Sequence, residues 1–288
     1  MPKAISIAVI LLTFLPGCPD PQQEQSHPDV PNWPEAFNRP EAQEQGADPV
    51  YMVQLTMMTV EVPIGSVSES EKIWSHLDEQ PVHLYQAWLG PNGFRVGRAP
   101  SESWPEIRET LQNLTGRQAS ESSMWTLPGE MHSVNVRPDQ PIQTIFMQMK
   151  DGTLSGRDYP PGDNILTIQC NMSPDNPGEI VLLAQPQIRT RQSKPGIVKE
   201  GGSLIITRKP TTLNFTDLTF QLTVPNKDIV IIGPGADARR RSSVANHFLV
   251  KEKDGLPYET VLVIVPTITR AKVSTVDAST SDQTGDLP

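Results

Sequence analysis

Along Leu218, Phe220, Leu222 and Val224 apolar residues alternate with polar ones, a period of two that puts one face of a strand in a core and the other in water. Residues 50–62 (VYMVQLTMMTVEV) are richer in β-branched and apolar side chains and predict a long strand. Behind them, Ser68-x-x-Glu71 has the form of a capping box, followed by Ile73, Trp74 and Leu77 at helical spacing, a helix that Pro81 should end. Val82 to Leu89 and Phe94 to Val96 read as strands flanking Gly90-Pro-Asn-Gly93, whose Asn92-Gly93 pair is a hairpin signal. A second capping box, Ser103-x-x-Glu106, precedes Ile107, Leu111 and Leu114 at i, i+4 and i+7. The order β-α-β-β-α predicts a small α+β domain over residues 50–117.

Past that point helical periodicity almost disappears. Strands are expected at 134–136, 142–149, 165–170, 180–189, 204–207, 213–224, 228–232, 247–250 and 260–265, most of them separated by turns rich in Pro or Gly. Residues 118–273 therefore read as a mostly antiparallel β-domain, and the chain as a whole as α+β. Residues 274–288 lack apolar periodicity and read as a disordered tail.

Composition supports the strands and adds a leader. Among 288 residues, 29 are proline, which argues against a helical bundle. A net charge of −9 gives no electrostatic footprint for nucleic-acid phosphates, so nucleic acid is set aside as a partner. Residues 1–17 place Lys3 before an apolar run from Ala4 to Leu15, too short to span a bilayer but suited to a signal peptide. Leu15-Pro16-Gly17-Cys18 resembles the lipobox of bacterial lipoproteins, which implies cleavage before Cys18 and lipid on its thiol. In that class an aspartate after the cysteine favours inner-membrane retention; Pro19 stands here instead, which implies the outer membrane, facing the periplasm. Residues 18–49 then carry the lipidated cysteine and a proline-rich, acidic stretch that cannot bury enough surface to offset its ordering entropy, and read as a disordered tether.

Local motifs for chemistry are missing. His27, His76, His83, His132 and His247 are scattered with no metal-ligand spacing, and no nucleophile elbow, Walker loop or dinucleotide fingerprint is present. Cys170 ends an apolar strand and reads as a buried thiol rather than a nucleophile. Gly201-Gly-Ser203 reads as a turn. Arg239-Arg240-Arg241, the densest basic cluster, follows Gly233-Pro-Gly-Ala236 and reads as a loop, either a solvated turn or an anion or headgroup contact. No catalytic, metal or cofactor residue is assigned, and the chain is read as non-enzymatic.

Several stretches together resemble a family. Residues 164–170 (NILTIQC) and 179–188 (EIVLLAQPQI) are similar to the strand pair that opens the secretin domain. Leu213 to Val224 leads through Pro225-Asn-Lys-Asp228 into Ile229-Val-Ile-Ile-Gly-Pro-Gly235, and 259–268 (ETVLVIVPTI) is similar to that domain's close. Secretins are the outer-membrane ring proteins of type II and type III secretion and of type IV pili. The family's second glycine is displaced here by Pro234, and its Pro-x-Leu-Gly-x-Ile-Pro-x-Leu-Gly stretch has no match, so neither pore nor site residue is carried over. The resemblance implies a lipid-anchored envelope protein in or beside a secretion or pilus apparatus, held to the membrane by Cys18 and partnered by its own copies or by export components. It also implies that the strands at 228–232 and 260–265 share one sheet. The alternative is a monomeric periplasmic or surface binding lipoprotein without a secretion role.

Overall fold

Burial along strand β1 (Val50–Pro63) changes sides midway: Val53, Leu55 and Met57 are buried on one face, Met58, Val60 and Val62 on the other. Such a strand needs apolar cover on both sides, and the helices that follow it cover only one. The computed structural model, which describes residues 50–115, 119–200 and 203–271, shows where the other cover comes from. Cys18, the expected signal segment and tether, Gly201, Gly202 and the expected tail lie outside these residues.

The elements that follow are α1 (Glu71–Trp74), α2 (His83–Leu89), β2 (Phe94–Ala99), α3 (Trp104–Thr115), β3 (Ser120–Thr126), β4 (Met131–Gln140), β5 (Gln143–Gln148) and β6 (Leu154–Tyr159). After them come β7 (Gly162–Met172), β8 (Glu179–Glu200), β9 (Ser203–Asn214), β10 (Phe220–Pro225), β11 (Ile229–Pro234), α4 (Val244–Leu249), β12 (Val250–Lys253) and β13 (Leu256–Ala271). The first sheet runs β2-β11-β13-β1-β3, with β12 beside β13; the second runs β10-β8-β7-β4, with β9 on β8; β5 and β6 form a hairpin. Pairing is antiparallel throughout these ladders.

One core lies between the two sheets, joining Val53, Leu55, Ile232 and Ile264 to Leu166, Ile168, Leu182 and Leu222, with Phe248 of α4 included. A second lies on the opposite face of the first sheet, where Ile73 and Trp74 of α1 and Ile107 and Leu111 of α3 meet Met58, Val60, Ile231 and Val263. Each such side chain removed from water contributes about 1.5–3 kcal/mol. The layers are thus helices, sheet, sheet.

Several expectations are corrected. The predicted β-α-β-β-α unit is not a unit: β1 pairs with β13 from Val50↔Ala271 to Pro63↔Tyr258, and β2 pairs with β11, so both strands belong to a sheet completed by the far end of the chain. Val82 to Leu89 is a 3₁₀ turn and α2 rather than a strand, with Val82 and Leu89 buried at helical spacing. A short apolar run does not reveal its own period. Pro81 lies in the opening turn, where its missing N–H costs nothing, instead of closing a helix. Asn92-Gly93 ends a 3₁₀ turn between α2 and β2, with Gly93 at φ 85°, and makes no hairpin. The α1 cap is Ser70, which accepts from the Lys72 N–H, while Ser68 is buried elsewhere. The expected strand over 213–224 is broken by a 3₁₀ turn at Thr216–Leu218, and 247–250 falls in α4 and the start of β12. The strands at 228–232 and 260–265 do share a sheet, with Val230↔Ile264 and Ile232↔Leu262 in register.

Candidate functional site

Sheet edges are where a β-protein without catalytic motifs meets partners, because unpaired N–H and C=O groups there seek new strands. The β2 edge is closed by a bridge in which the Asp78 N–H donates to the Arg98 carbonyl at 2.6 Å and Arg98 returns the bond at 2.9 Å. On β10 the Thr223 carbonyl accepts from Arg98 Nη1 at 2.9 Å. The β4 edge is broken by register shifts around Arg137 and carries Pro138, both of which discourage pairing. β3 differs. It pairs with β1 in unbroken register from Val53↔Thr126 to Thr59↔Ser120, and its seven residues include neither Pro nor Lys. Trp125, 53 % exposed, stands on this strand.

Beside β3 lies a groove of about 300 Å³. Its floor is Met58, Ile229 and Val265, Trp104 forms a wall, and Arg108, Lys227 and Glu121 supply charge. The groove exists because α3, twelve residues or roughly 18 Å long, cannot cover a fourteen-residue strand of roughly 46 Å.

Next to α1, Arg95 binds the carboxylates of Glu71 (2.8 Å) and Glu79 (2.7 Å) while its guanidinium lies 4.6 Å from the Trp74 ring centroid. Burial works against the Arg95 charge, but the hydrogen bonds to Glu71 and Glu79 outweigh it and hold the group above its ordinary range. The hydrogen bond from Arg95 holds the Glu71 carboxyl below its ordinary value of 4.5. A depressed carboxyl stabilises the fold fully above its unfolded value and loses that contribution as pH falls through the folded one. Because the Glu71 side chain is 71 % exposed, the contribution should stay below about 1 kcal/mol. Glu71→Gln should therefore lower Tm slightly at pH 7, and the difference from the parent should narrow as the pH is lowered through the acid range, which thermal melts over that range would show.

The residues singled out by chemistry are dispersed. His76 Nδ1 lies 3.3 Å from Glu106, His132 Nε2 2.6 Å from Thr126 Oγ1, and His247 Nε2 3.1 Å from the Thr144 carbonyl. Among the described residues no group of three or more His, Cys, Asp or Glu is placed to hold a metal ion. Nor is any helix among them long and apolar enough to cross a membrane. Ser203 opens β9. Cys170 is 1 % exposed, and burial pushes its thiol up to about 12. At pH 8 it is a thiol rather than a thiolate, so maleimide labelling of the folded Cys18→Ser chain should be slow and become fast only in denaturant. The three arginines of the cluster part company in their partners: Arg239 pairs with Glu69, Arg240 with Asp237 and the Pro91 carbonyl, and Arg241 lines a cleft that Arg239 also borders. Sequence reading missed Glu259, a fully buried carboxylate at the start of an apolar run, and Arg137, set at a bulge.

No family model matches the chain, and no curated protein matches it. Among solved structures it is similar to the type IV competence pilus secretin PilQ of V. cholerae, at 12 % identity and a TM-score of 0.19 over 77 % of this chain and 58 % of that one. It is also similar to a chain of the Klebsiella pneumoniae type II secretion system outer membrane complex of PulD, PulS and PulC, at 11 % identity and a TM-score of 0.21 over 77 % and 40 % of the two chains. A third is the InvG secretin domain β-barrel of the Salmonella SPI-1 injectisome, at 10 % identity and a TM-score of 0.18 over 80 % and 64 %. The chain thus spans less than two thirds of the length of these neighbours, and no function is argued from overlaps of this size.

Proposed function

We propose that this is a non-enzymatic, lipid-anchored protein of the bacterial envelope, secretin-like in its β-domain, that works by assembly in or beside a secretion or pilus apparatus. The reading rests on one structural observation, the regular edge of β3, unpaired among the described residues, beside a groove with an apolar floor and a charged rim. A second strand laid on that edge satisfies its free backbone groups and needs no covalent chemistry. The occupant is a second copy of the chain or an export component. The Cys18 anchor holds the protein at the outer membrane, facing the periplasm, and the stretch up to Pro49 sets its reach from the bilayer.

Two measurements test this. Cys18→Ser should yield an unacylated chain that leaves the membrane fraction; labelled lipid still incorporating into the variant refutes the anchor. Crosslinking in intact cells should capture oligomers or export components, and Ser123→Pro, which removes a backbone donor on the free side of β3 because Ser122, Met124 and Thr126 face Met57, Leu55 and Val53 of β1, should abolish them at little cost to the fold. A strictly monomeric chain with neither contact is a solitary binding lipoprotein instead.

A further inference from the structure

In a chain of net charge −9, one cleft of about 430 Å³ gathers Arg137, Arg239, Arg241 and Lys251, with the His247 ring in its wall and Glu252 as its carboxylate. Two of these cations are already neutralised, Lys251 by Glu61 and Arg239 by Glu69. Arg137 and Arg241 have no carboxylate partner among the described residues. Arg241 is exposed, but Arg137 is half-buried. The bulge in β4 turns Arg137 inward, and its Nη1 donates to the carbonyls of His247 (3.2 Å) and Val250 (2.6 Å) at the end of α4. Those bonds use one nitrogen and bring no negative charge. A guanidinium that is withdrawn from water and left without a counter-ion is costly, which is why such groups are normally paired.

Against this stands the bland account, that Arg137 only ties the end of α4 to β4. That account explains Nη1 but not why a second unpaired guanidinium, from a different loop, opens into the same cleft. The cleft mouth is also apolar, formed by Ile64, Pro141, Ile142 and Pro257, with Ile142 68 % exposed. Burial lowers the His247 pKa, so the imidazole is neutral at pH 7 and takes no share of the charge.

We propose that this cleft binds a phosphate-class anion between Arg137 and Arg241, with the apolar mouth accommodating the group the phosphate carries. Planar guanidinium forks match phosphate oxygens in pairs, whereas a peptide carboxylate would engage one fork and leave the other unmatched. The phosphate is either free or the headgroup of an anionic phospholipid, and both present the same oxygens. This inference does not depend on the β3 edge or on the lipid anchor.

The test uses the full-length Cys18→Ser chain, so that no acyl group contributes to vesicle binding, and compares it with the same chain carrying Arg241→Gln. Arg241 has no ion-pair partner among the described residues, so the variant should melt as the parent does without ligand. Inorganic phosphate and glycerol phosphate should raise the parent's Tm, and Arg241→Gln should weaken the apparent affinity about tenfold, as loss of one charge-assisted fork predicts. Phosphatidylglycerol vesicles should co-sediment more parent than variant, whereas phosphatidylcholine vesicles should not distinguish them. Response to phosphate without preference for the anionic vesicles assigns the cleft to a free anion and upholds the proposal. Equal behaviour of parent and variant in every arm overturns it, as does a glutamate-rich peptide that binds while phosphate and vesicles do not.

Discussion

Glu259→Ala should cost the fold about 3–5 kcal/mol, the loss typical when one member of a buried charged hydrogen-bond set is removed. The carboxylate is fully buried on β13, where it accepts the backbone N–H groups of Gly65 (2.7 Å), Val67 (3.0 Å) and Ser68 (3.1 Å) together with the Ser68 hydroxyl. It is the fixed point of the loop that carries the chain from β1 to α1. The Val67 carbonyl in that loop accepts from the Trp74 indole at 3.0 Å, so the loop in turn seats Trp74 beneath Arg95. Alanine leaves three amide donors unpaired in the interior and unseats the α1 side of the outer core. Glutamine keeps one acceptor oxygen but turns an NH₂ toward donors, so Glu259→Gln should lose less, about 2 kcal/mol. In urea the midpoint should fall in both variants with the slope unchanged, and Tm of the alanine variant should drop by about 10 °C. An unaltered midpoint would mean the loop holds itself.

What the sequence shows and what it hides follow the same division between local and distant causes. Phe220, Leu222 and Val224 alternate with exposed Gln221 and Thr223 as read, because a period of two in a half-wet strand is a local signal. Ile107 and Leu111 are buried one turn apart on α3 for the same reason. By contrast, the partnership of β1 with β13 joins residues some two hundred positions apart, and nothing in either strand names the other. Once β1 is paired that way, the expected small domain cannot exist, and its helices become a layer on a larger sheet. Glu259 had one visible sign, a carboxylate heading the run Thr-Val-Leu-Val, but its meaning depends on the loop Gly65-Ser-Val-Ser68 arriving opposite. Arg137 had none, since its inward turn is made by a bulge that only the paired strand reveals. The arginine cluster lies in the turn and loop between β11 and α4, yet Arg239 and Arg240 pair with different carboxylates while Arg241 lines a cleft with Arg239, which no run of identical residues can disclose.

Gly93→Ala should cost about 2–4 kcal/mol, far more than alanine at Gly152, although both glycines have positive φ, 85° and 84°. At Gly152 an added Cβ meets nothing within 4 Å, so only the left-handed backbone is penalised, at about 1 kcal/mol. At Gly93 the same atom would lie 2.7 Å from the Ala238 nitrogen and 2.8 Å from its Cα. Those are backbone atoms of the turn at Ala236–Arg239, and they cannot swing aside as a side chain can. The two segments are also tied directly, since the Gly93 carbonyl accepts from the Gly235 N–H at 2.8 Å. Alanine must therefore either push the turn away, breaking that bond and shifting the arginine loop, or strain the entry to β2. Side-by-side denaturation of the two variants separates the effects: the Gly152 loss measures conformation alone, and the excess at Gly93 measures the close approach. Equal losses would show that the approach of the two backbones contributes nothing and that the left-handed turn alone explains the glycine.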